Sequence, residues 1–523
     1  NNPAQGEFRI AARVQDVTYA FVPRSLQTAE EKPWPALTKL SGELVFERSS
    51  MFVKGASGRF SGSPTLQATK VEAQIPDLSH TVVAVSADAR GPLPELLSLM
   101  ATSPLAAMTG NALDQASGTG HADLRLRLTL PISEIRQSQV QGRLTLGGND
   151  VRITPDTPAL SRARGAVQFS ETGFSLVGVQ ARALGGDVRL EGGMRALPPG
   201  APPSEAVLQL RAQGMASAEG LRQARELGLL SQLANKATGS APYAFTLALR
   251  RGVPELQVSS SLQGLALALP APMGKPAESS MPVRFENQLT REALAPVAVP
   301  SRPPPLHDQL TLDIEGVGSV QYVRDLGTPQ PRVLRGAIAL GLAREESAPL
   351  PERGVAANIQ VGEVDVDAWE SLLLGPATGE RAPVTSGNGE AGAIQDYLPH
   401  VLAVRAKALT VQGRTLHQVL VGGSREGRVW RANLDAQELN GYLEYRQAGA
   451  QDAGAGRLFA RLARLTVPQS AASEVEALLD EQPGNLPSLD IVVQDFELRG
   501  RKLGRLRSEE RRVGKECRSR WSP

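Results

Sequence analysis

HADLRLRLTL (121–130) is the stretch on which the fold turns. Ala122, Leu124, Leu126, Leu128 and Leu130 alternate with Asp123, Arg125, Arg127 and Thr129. Successive strand side chains point to opposite faces, so this segment has one dry face and one wet face. AFTLALRR (244–251) repeats the pattern with Phe245, Leu247 and Leu249, and LTLDIEG (310–316) with Leu310, Leu312 and Ile314. Weaker versions stand at 7–21, 38–48, 64–75, 139–147, 164–170, 174–184, 205–213, 332–344, 428–436 and 457–467. A parallel sheet buried on both faces would read as continuous apolar runs instead. The chain is therefore expected to be mostly β and antiparallel.

Its composition agrees. The 523 residues exceed what one compact core normally holds, which implies several domains or one elongated repetitive structure. Hydrophobic residues at 41% and charged residues at 21% exclude a disordered chain. A net charge of +2 gives no electrostatic case for a nucleic-acid partner. Aromatics are only 4%, whereas 51 Gly and 38 Pro favour turns over long helices. Cys517 is the single cysteine, so no disulfide forms within the chain and no Cys-based metal site can be built. No run of about 18 apolar residues exists to span a bilayer as a helix. The start, Asn1-Asn2-Pro3, reads as the interior of something longer.

Few helices interrupt the strands. One opens at Gly91-Pro92-Leu93-Pro94 and carries Leu96, Leu97 and Met100. Another starts at Ser217 with Glu219 and shows the stripe Leu221, Ala224, Leu227, Leu230 and Leu233. Asp367 and Glu370 form a capping box before Leu372 and Leu373, stopped by Gly375; Ser473 and Glu476 do the same before Leu478 and Leu479. Each stripe suits a helix that plugs or caps a sheet. Pro-rich loops at 197–204, 270–282 and 295–306, and a Gly/Ser-rich one at 376–393, read as insertions at strand turns. One hairpin repeats without a gap: LTVQGRTLHQV (409–419) aligns with FELRGRKLGRL (496–506), matching Gly413 to Gly500 and Leu416 to Leu503. Repetition of one unit with no closing signal suggests stacking along an axis.

Catalytic and metal chemistry do not assemble. His80, His121, His307, His400 and His417 are isolated, and there is no H-E-x-x-H, G-x-S-x-G, Walker A or G-x-G-x-x-G pattern. GEVDVDAWE (362–370) concentrates carboxylates but lacks the ligand ladder and Gly turn of a calcium loop, so helix capping by Asp367 explains it. No enzyme activity and no cofactor are expected.

GPLPELLSLMATSPLAAMTGNAL (91–113) followed by GTGHADLRLRLTLPI (118–132) resembles the YhdP members of the AsmA-like family. So do 150–193, WRANLDAQELNGYLEYR (430–446) and LPSLDIVVQDFELRGRKLGRL (486–506). The resemblance runs from about residue 7 to 507 and rests on the order of loose hairpin patterns. It implies an elongated, twisted antiparallel sheet curled into an open hydrophobic groove, with a few short plugging or capping helices. It further implies the C-terminal portion of a periplasmic protein, held in the inner membrane by an N-terminal helix outside this sequence. Such a protein carries phospholipid towards the outer membrane, so the expected partners are phospholipid acyl chains and the two membranes, the protein itself being a monomer. SEERRVGKECRSRWSP (508–523) departs from the pattern and is read as a non-native or disordered tail on a continuous groove of residues 1–507.

On this reading Leu124, Leu126, Leu128, Leu130, Phe245, Leu247, Leu249, Leu310, Leu312 and Ile314 line a lipid path. The alternating faces also suit a structural β-rod with a closed, lipid-free core. About 25 to 28 strands stacked about 4.8 Å apart would extend roughly 120–135 Å, with a radius of gyration near 36 Å. A compact globule of this length has about 24 Å. Small-angle scattering on the monomer should give a value above about 30 Å; one near 24 Å would mean a closed sandwich array.

Overall fold

The computed structural model describes residues 8–20, 32–104, 114–198, 205–295, 304–328, 330–342, 349–374, 396–448, 456–467 and 488–509, with 22, 24, 27, 106, 201 and 202 besides. These hold 27 strands and a few short helices, in two compact units, Asn1–Ser260 and Ser261–Pro523.

In the first unit β1 (Arg9–Ala20), β2 (Ala36–Glu47), β3 (Ser50–Phe60), β4 (Ser63–Ile75) and β5 (Val82–Pro92) form an antiparallel meander. The helix α1 (Leu93–Ala101) follows, then the two-residue β6 (Ser117–Gly118), and β7 (His121–Pro131) pairs with β5. The meander continues through β8 (Gln139–Arg152), β9 (Leu160–Ser170), β10 (Gly173–Ala183), β11 (Gly186–Arg195), β12 (Leu208–Ser217), β13 (Ala237–Arg250) and β14 (Val253–Ser260). The Pro92 ring sits just before α1, where a missing N–H costs nothing, and Leu93, Leu96, Leu97, Leu99 and Met100 are all buried.

The helix expected after Ser217 does begin there, its hydroxyl accepting from the Gly220 amide at 3.0 Å. It does not run on as one stripe. α2 (Ala218–Gln223) ends, a 3₁₀ turn follows, and the chain reverses at Gly228 (φ 55°) before α3 (Leu229–Leu233). Leu230 is left 58% exposed.

The second unit begins with the short β15 (Leu265–Leu267). Then come β16 (Val283–Leu289), β17 (His307–Ile314), β18 (Gly318–Asp325), β19 (Arg332–Leu340), β20 (Gly354–Asp365), β21 (Val401–Val411) and β22 (Arg414–Glu426). β23 (Val429–Asp435), β24 (Leu439–Arg446), β25 (Arg457–Val467), β26 (Ser488–Leu498) and β27 (Arg501–Glu509) complete it. Strands β16 to β27 pair in chain order. Three of these pairs, β19–β20, β20–β21 and β25–β26, are parallel, each following a long connection that returns the chain to the same end of the sheet. Among the described residues no pairing returns from β14 to β1 or from β27 to β16, so neither unit closes its strands into a barrel.

α4 (Val366–Leu374) forms where expected, but its cap differs. The Asp365 carboxylate accepts from the Ala368 amide at 2.9 Å, while Asp367 accepts from the amides of Gln412 and Gly413 at 2.6 and 2.7 Å. Asp367 thus holds the β21–β22 turn instead of capping its own helix. The Ser473–Glu476 helix and the 376–393 loop lie outside the described residues. So do 510–523, while β27 itself runs two residues past Arg507.

The repeated hairpin is real. Gln412 and Gly413 have φ of 51° and 71°, and Arg499 and Gly500 have 53° and 74°, so both copies turn through two left-handed residues. Val411 pairs with Arg414 just as Leu498 pairs with Arg501. A Cβ at residue 413 would meet nothing within 4 Å, so Gly413→Ala carries only the left-handed backbone penalty, about 1 kcal/mol. Amide exchange across β21 and β22 should then quicken roughly fivefold. Unchanged exchange would show that the turn does not hold the hairpin.

Candidate functional site: an apolar face in register

Cross-strand register aligns the apolar residues into rows that run perpendicular to the strands. In the first unit one row reads Ala89, Leu124, Leu144, Val167, Leu176, Gly192, Leu210, Leu247 and Leu256, crossing β5 and β7 to β14. The adjacent row reads Ala87, Leu126, Gly142, Phe169, Phe174, Met194, Leu208, Leu249 and Pro254. Neither contains a polar side chain.

The second unit does the same over twelve strands. Val283, Ile314, Gly318, Leu340, Ile359, Val404, Val421, Leu434, Gly441, Leu462, Val493 and Leu506 succeed one another from β16 to β27. Beside it run Phe285, Leu312, Val320, Ile338, Ala357 and Leu402, continuing to Ile491 with only Ala, Leu and Gly between. At about 4.8 Å per strand the longer row follows the sheet for about 50 Å. It keeps its character through all three parallel joints.

The residues singled out in the sequence all stand on this face, within their own unit. Leu124 and Leu247 share one row and Leu126 and Leu249 the next. Leu128 and Leu130 face Val85 and Val83, and Phe245 lies between Ala212 and Val258. Leu310 lies between Asn287 and Tyr322. Their surroundings differ. Leu124, Leu128 and Leu130 are 4, 3 and 0% exposed, in a core shared with Leu37, Leu66, Val71 and α1, against which Leu126 and Phe245 pack. Leu247, Leu249, Leu310, Leu312 and Ile314 are only half-buried. The first unit's face is therefore filled by protein around α1 and partly open along β13, and the second unit's face is partly open along β16 to β24.

Polar groups mark one margin of the second unit's face. Asp308 precedes Leu310, Leu312 and Ile314 on the same side of β17 and pairs with Arg324 across the ladder. The fork is bidentate: Arg324 Nε and Nη2 donate to the Asp308 carboxylate at 3.0 and 2.5 Å, and Nη1 donates to the Tyr397 hydroxyl at 3.3 Å. Tyr322 donates to the Tyr397 carbonyl at 3.0 Å, and the two rings meet edge to face. The hydrogen bonds that Arg324 donates to Asp308 hold its guanidinium above its ordinary pKa. Sequence reading missed this pair, because Asp308 and Arg324 become neighbours only through register.

The histidines remain dispersed: His80 faces Asp77, His400 accepts from the Val355 amide, and His417 pairs with Glu438 at 2.6 Å. Among the described residues no three His, Cys, Asp or Glu side chains gather as metal ligands, and no helix is long and apolar enough to cross a membrane.

The family model described as YhdP protein matches residues 1–518. The chain belongs to the YhdP family. The intermembrane phospholipid transporter YhdP of Escherichia coli (strain K12) is 23% identical in an alignment of 292 residues that covers 54% of this chain and 21% of that protein. The chain thus covers about a fifth of this YhdP relative.

Asp308→Asn should leave the half-buried Arg324 beside a neutral partner at the margin of the rows, a loss of about 1–3 kcal/mol of local stability. Hydrogen exchange of the β16–β18 amides reads it directly. Protection equal to the parent would mean the pair adds nothing to this edge.

Proposed function

We propose that the chain is part of a lipid conduit, in which the apolar rows shelter phospholipid acyl chains passing between the inner and outer membranes. The observation that carries this reading is the twelve-strand row from Val283 to Leu506, apolar at every step, half-buried over most of its length and belonging to strands that do not close. A face of that kind needs a cover. Removing about 16 methylenes of an acyl chain from water is worth roughly 13 kcal/mol at about 0.8 kcal/mol each. Membership of the YhdP family and the relative's name as an intermembrane phospholipid transporter support the choice of cargo. On this reading the chain works in the periplasm as a non-enzymatic monomer, tethered to the inner membrane through a segment outside this sequence. A structural rod with a closed core is the second reading, favoured by the fully covered face around α1.

The test is labelling by face. Photocrosslinkers at 247, 312 and 434, on the rows, should capture phospholipid, and those at 246, 313 and 433, on the opposite face, should not. Leu312→Glu would place a carboxylate among acyl chains, a desolvation cost of several kcal/mol, and should stop transfer while the hairpins stay protected from exchange. Equal labelling of both faces would remove the groove, and absence of lipid from the rows would favour the closed rod.

A further inference from the structure

The opposite, water-facing side of the first unit carries a feature that acyl chains do not account for. Arg164, Gln180, Arg189 and Gln213 form one cross-strand row on β9 to β12, and Arg162 and Arg182 stand beside it. Together they line a concavity of about 870 Å³. Left-handed residues at Arg162 and Gly178 lie at irregularities in the β9–β10 ladder, and such bulges bend strands, which accounts for the hollow.

Charge matching fails here. Some outer-face arginines elsewhere stand opposite a carboxylate, as Arg90 on Asp123 at 3.5 Å, Arg431 on Glu444 at 3.3 Å and Arg461 on Asp490 at 3.0 Å, whereas Arg125 and Arg143 face each other outside this hollow. In the concavity the lining has four arginines and one acid, Asp187, which lies 3.7 Å from Arg182. The strand partners of Arg164 are Gly147 and Gln180, and those of Arg189 are Gln180 and Gln213, all neutral. Asp150 accepts from the Arg162 backbone amide at 3.0 Å. Like charges on neighbouring strands repel, and their guanidinium forks are shaped for oxyanions.

We propose that this concavity binds a ligand bearing two or more phosphate groups, held by Arg162, Arg164 and Arg189 with Arg182 oriented by Asp187. Arg164 and Arg189 stand two strands apart, roughly 10 Å at about 4.8 Å per strand, a span better matched by two phosphates than by one. The site lies on the face opposite the apolar rows and does not depend on the conduit reading.

Titration of the 523-residue chain with tripolyphosphate at low salt tests it. Saturable binding is expected, weakened about tenfold or more in Arg164→Gln/Arg189→Gln. The control Arg125→Gln/Arg143→Gln, with the same charge loss on the same face but outside the hollow, should bind as the parent. No saturable binding, or equal weakening in both variants, overturns the site. Flotation with phosphatidylcholine vesicles containing phosphatidic acid identifies the source: capture that the first variant loses assigns a lipid headgroup, and binding of tripolyphosphate without capture assigns a soluble polyphosphate.

Discussion

Everything in this protein depends on register. A strand slipped by one residue turns its whole apolar set to water, so rows crossing nine or twelve strands survive only if every ladder keeps its phase. The chain does this while inserting extra residues. In β4, Leu66 and Ala68 share a face with Val71, Ala73 and Ile75, because left-handed Lys70 adds one residue between the two sets. Lys39 does the same between Leu37 and Leu40, and Gly55 between Val53 and Ala56. The first bulges are answered in the next strand, so that the shift between Val14 and Val17 in β1 is undone by the one at Lys39 in β2, and that at Lys39 by the one at Gly55 in β3. A left-handed non-glycine residue costs about 1–2 kcal/mol. Lys39 and Lys70 point their side chains to solvent, where nothing else is lost.

These bulges explain why some alternations read weakly in the sequence. HADLRLRLTL is clean because β7 pairs with β5 and β8 without a shift. The segments 38–48, 64–75 and 174–184 change phase at Lys39, Lys70 and Gly178, so strict period two fails although one face stays apolar. The repeated hairpin was legible because Gly413 and Gly500 mark turns that demand left-handed backbone. Parallel joints were not: β20 and β21 look like any half-buried strand, and only the long connections around them hint at a return. Nor does local spacing distinguish Asp365 from Asp367 as a cap, since Asp367 is drawn away by a turn 45 residues on.

Each unit has its own apolar face, and the two differ in what covers them. Around α1 the first unit's face meets protein: Leu93, Leu96, Leu97, Leu99 and Met100 lie on β4, β5 and β7, and the neighbouring strand residues reach near-complete burial. Along β16 to β24 the same chemistry is left half-covered, and Asp308 with Arg324 closes one margin with a satisfied ion pair. An unpaired charge at that position would destabilise the edge; a bidentate pair capped by Tyr397 does not.

On the conduit reading, the sameness of the rows matters more than their depth. From Val283 to Leu506 the side chains are Val, Ile or Leu, broken only by glycine. Exchanging Val for Leu under an acyl chain changes the buried surface by one methylene, about 0.8 kcal/mol, close to thermal energy. A chain displaced by one strand therefore trades nearly equal contacts. A deep aromatic pocket anywhere along the row would hold lipid instead of passing it, and the scarcity of aromatics in the sequence is what keeps such a pocket from forming.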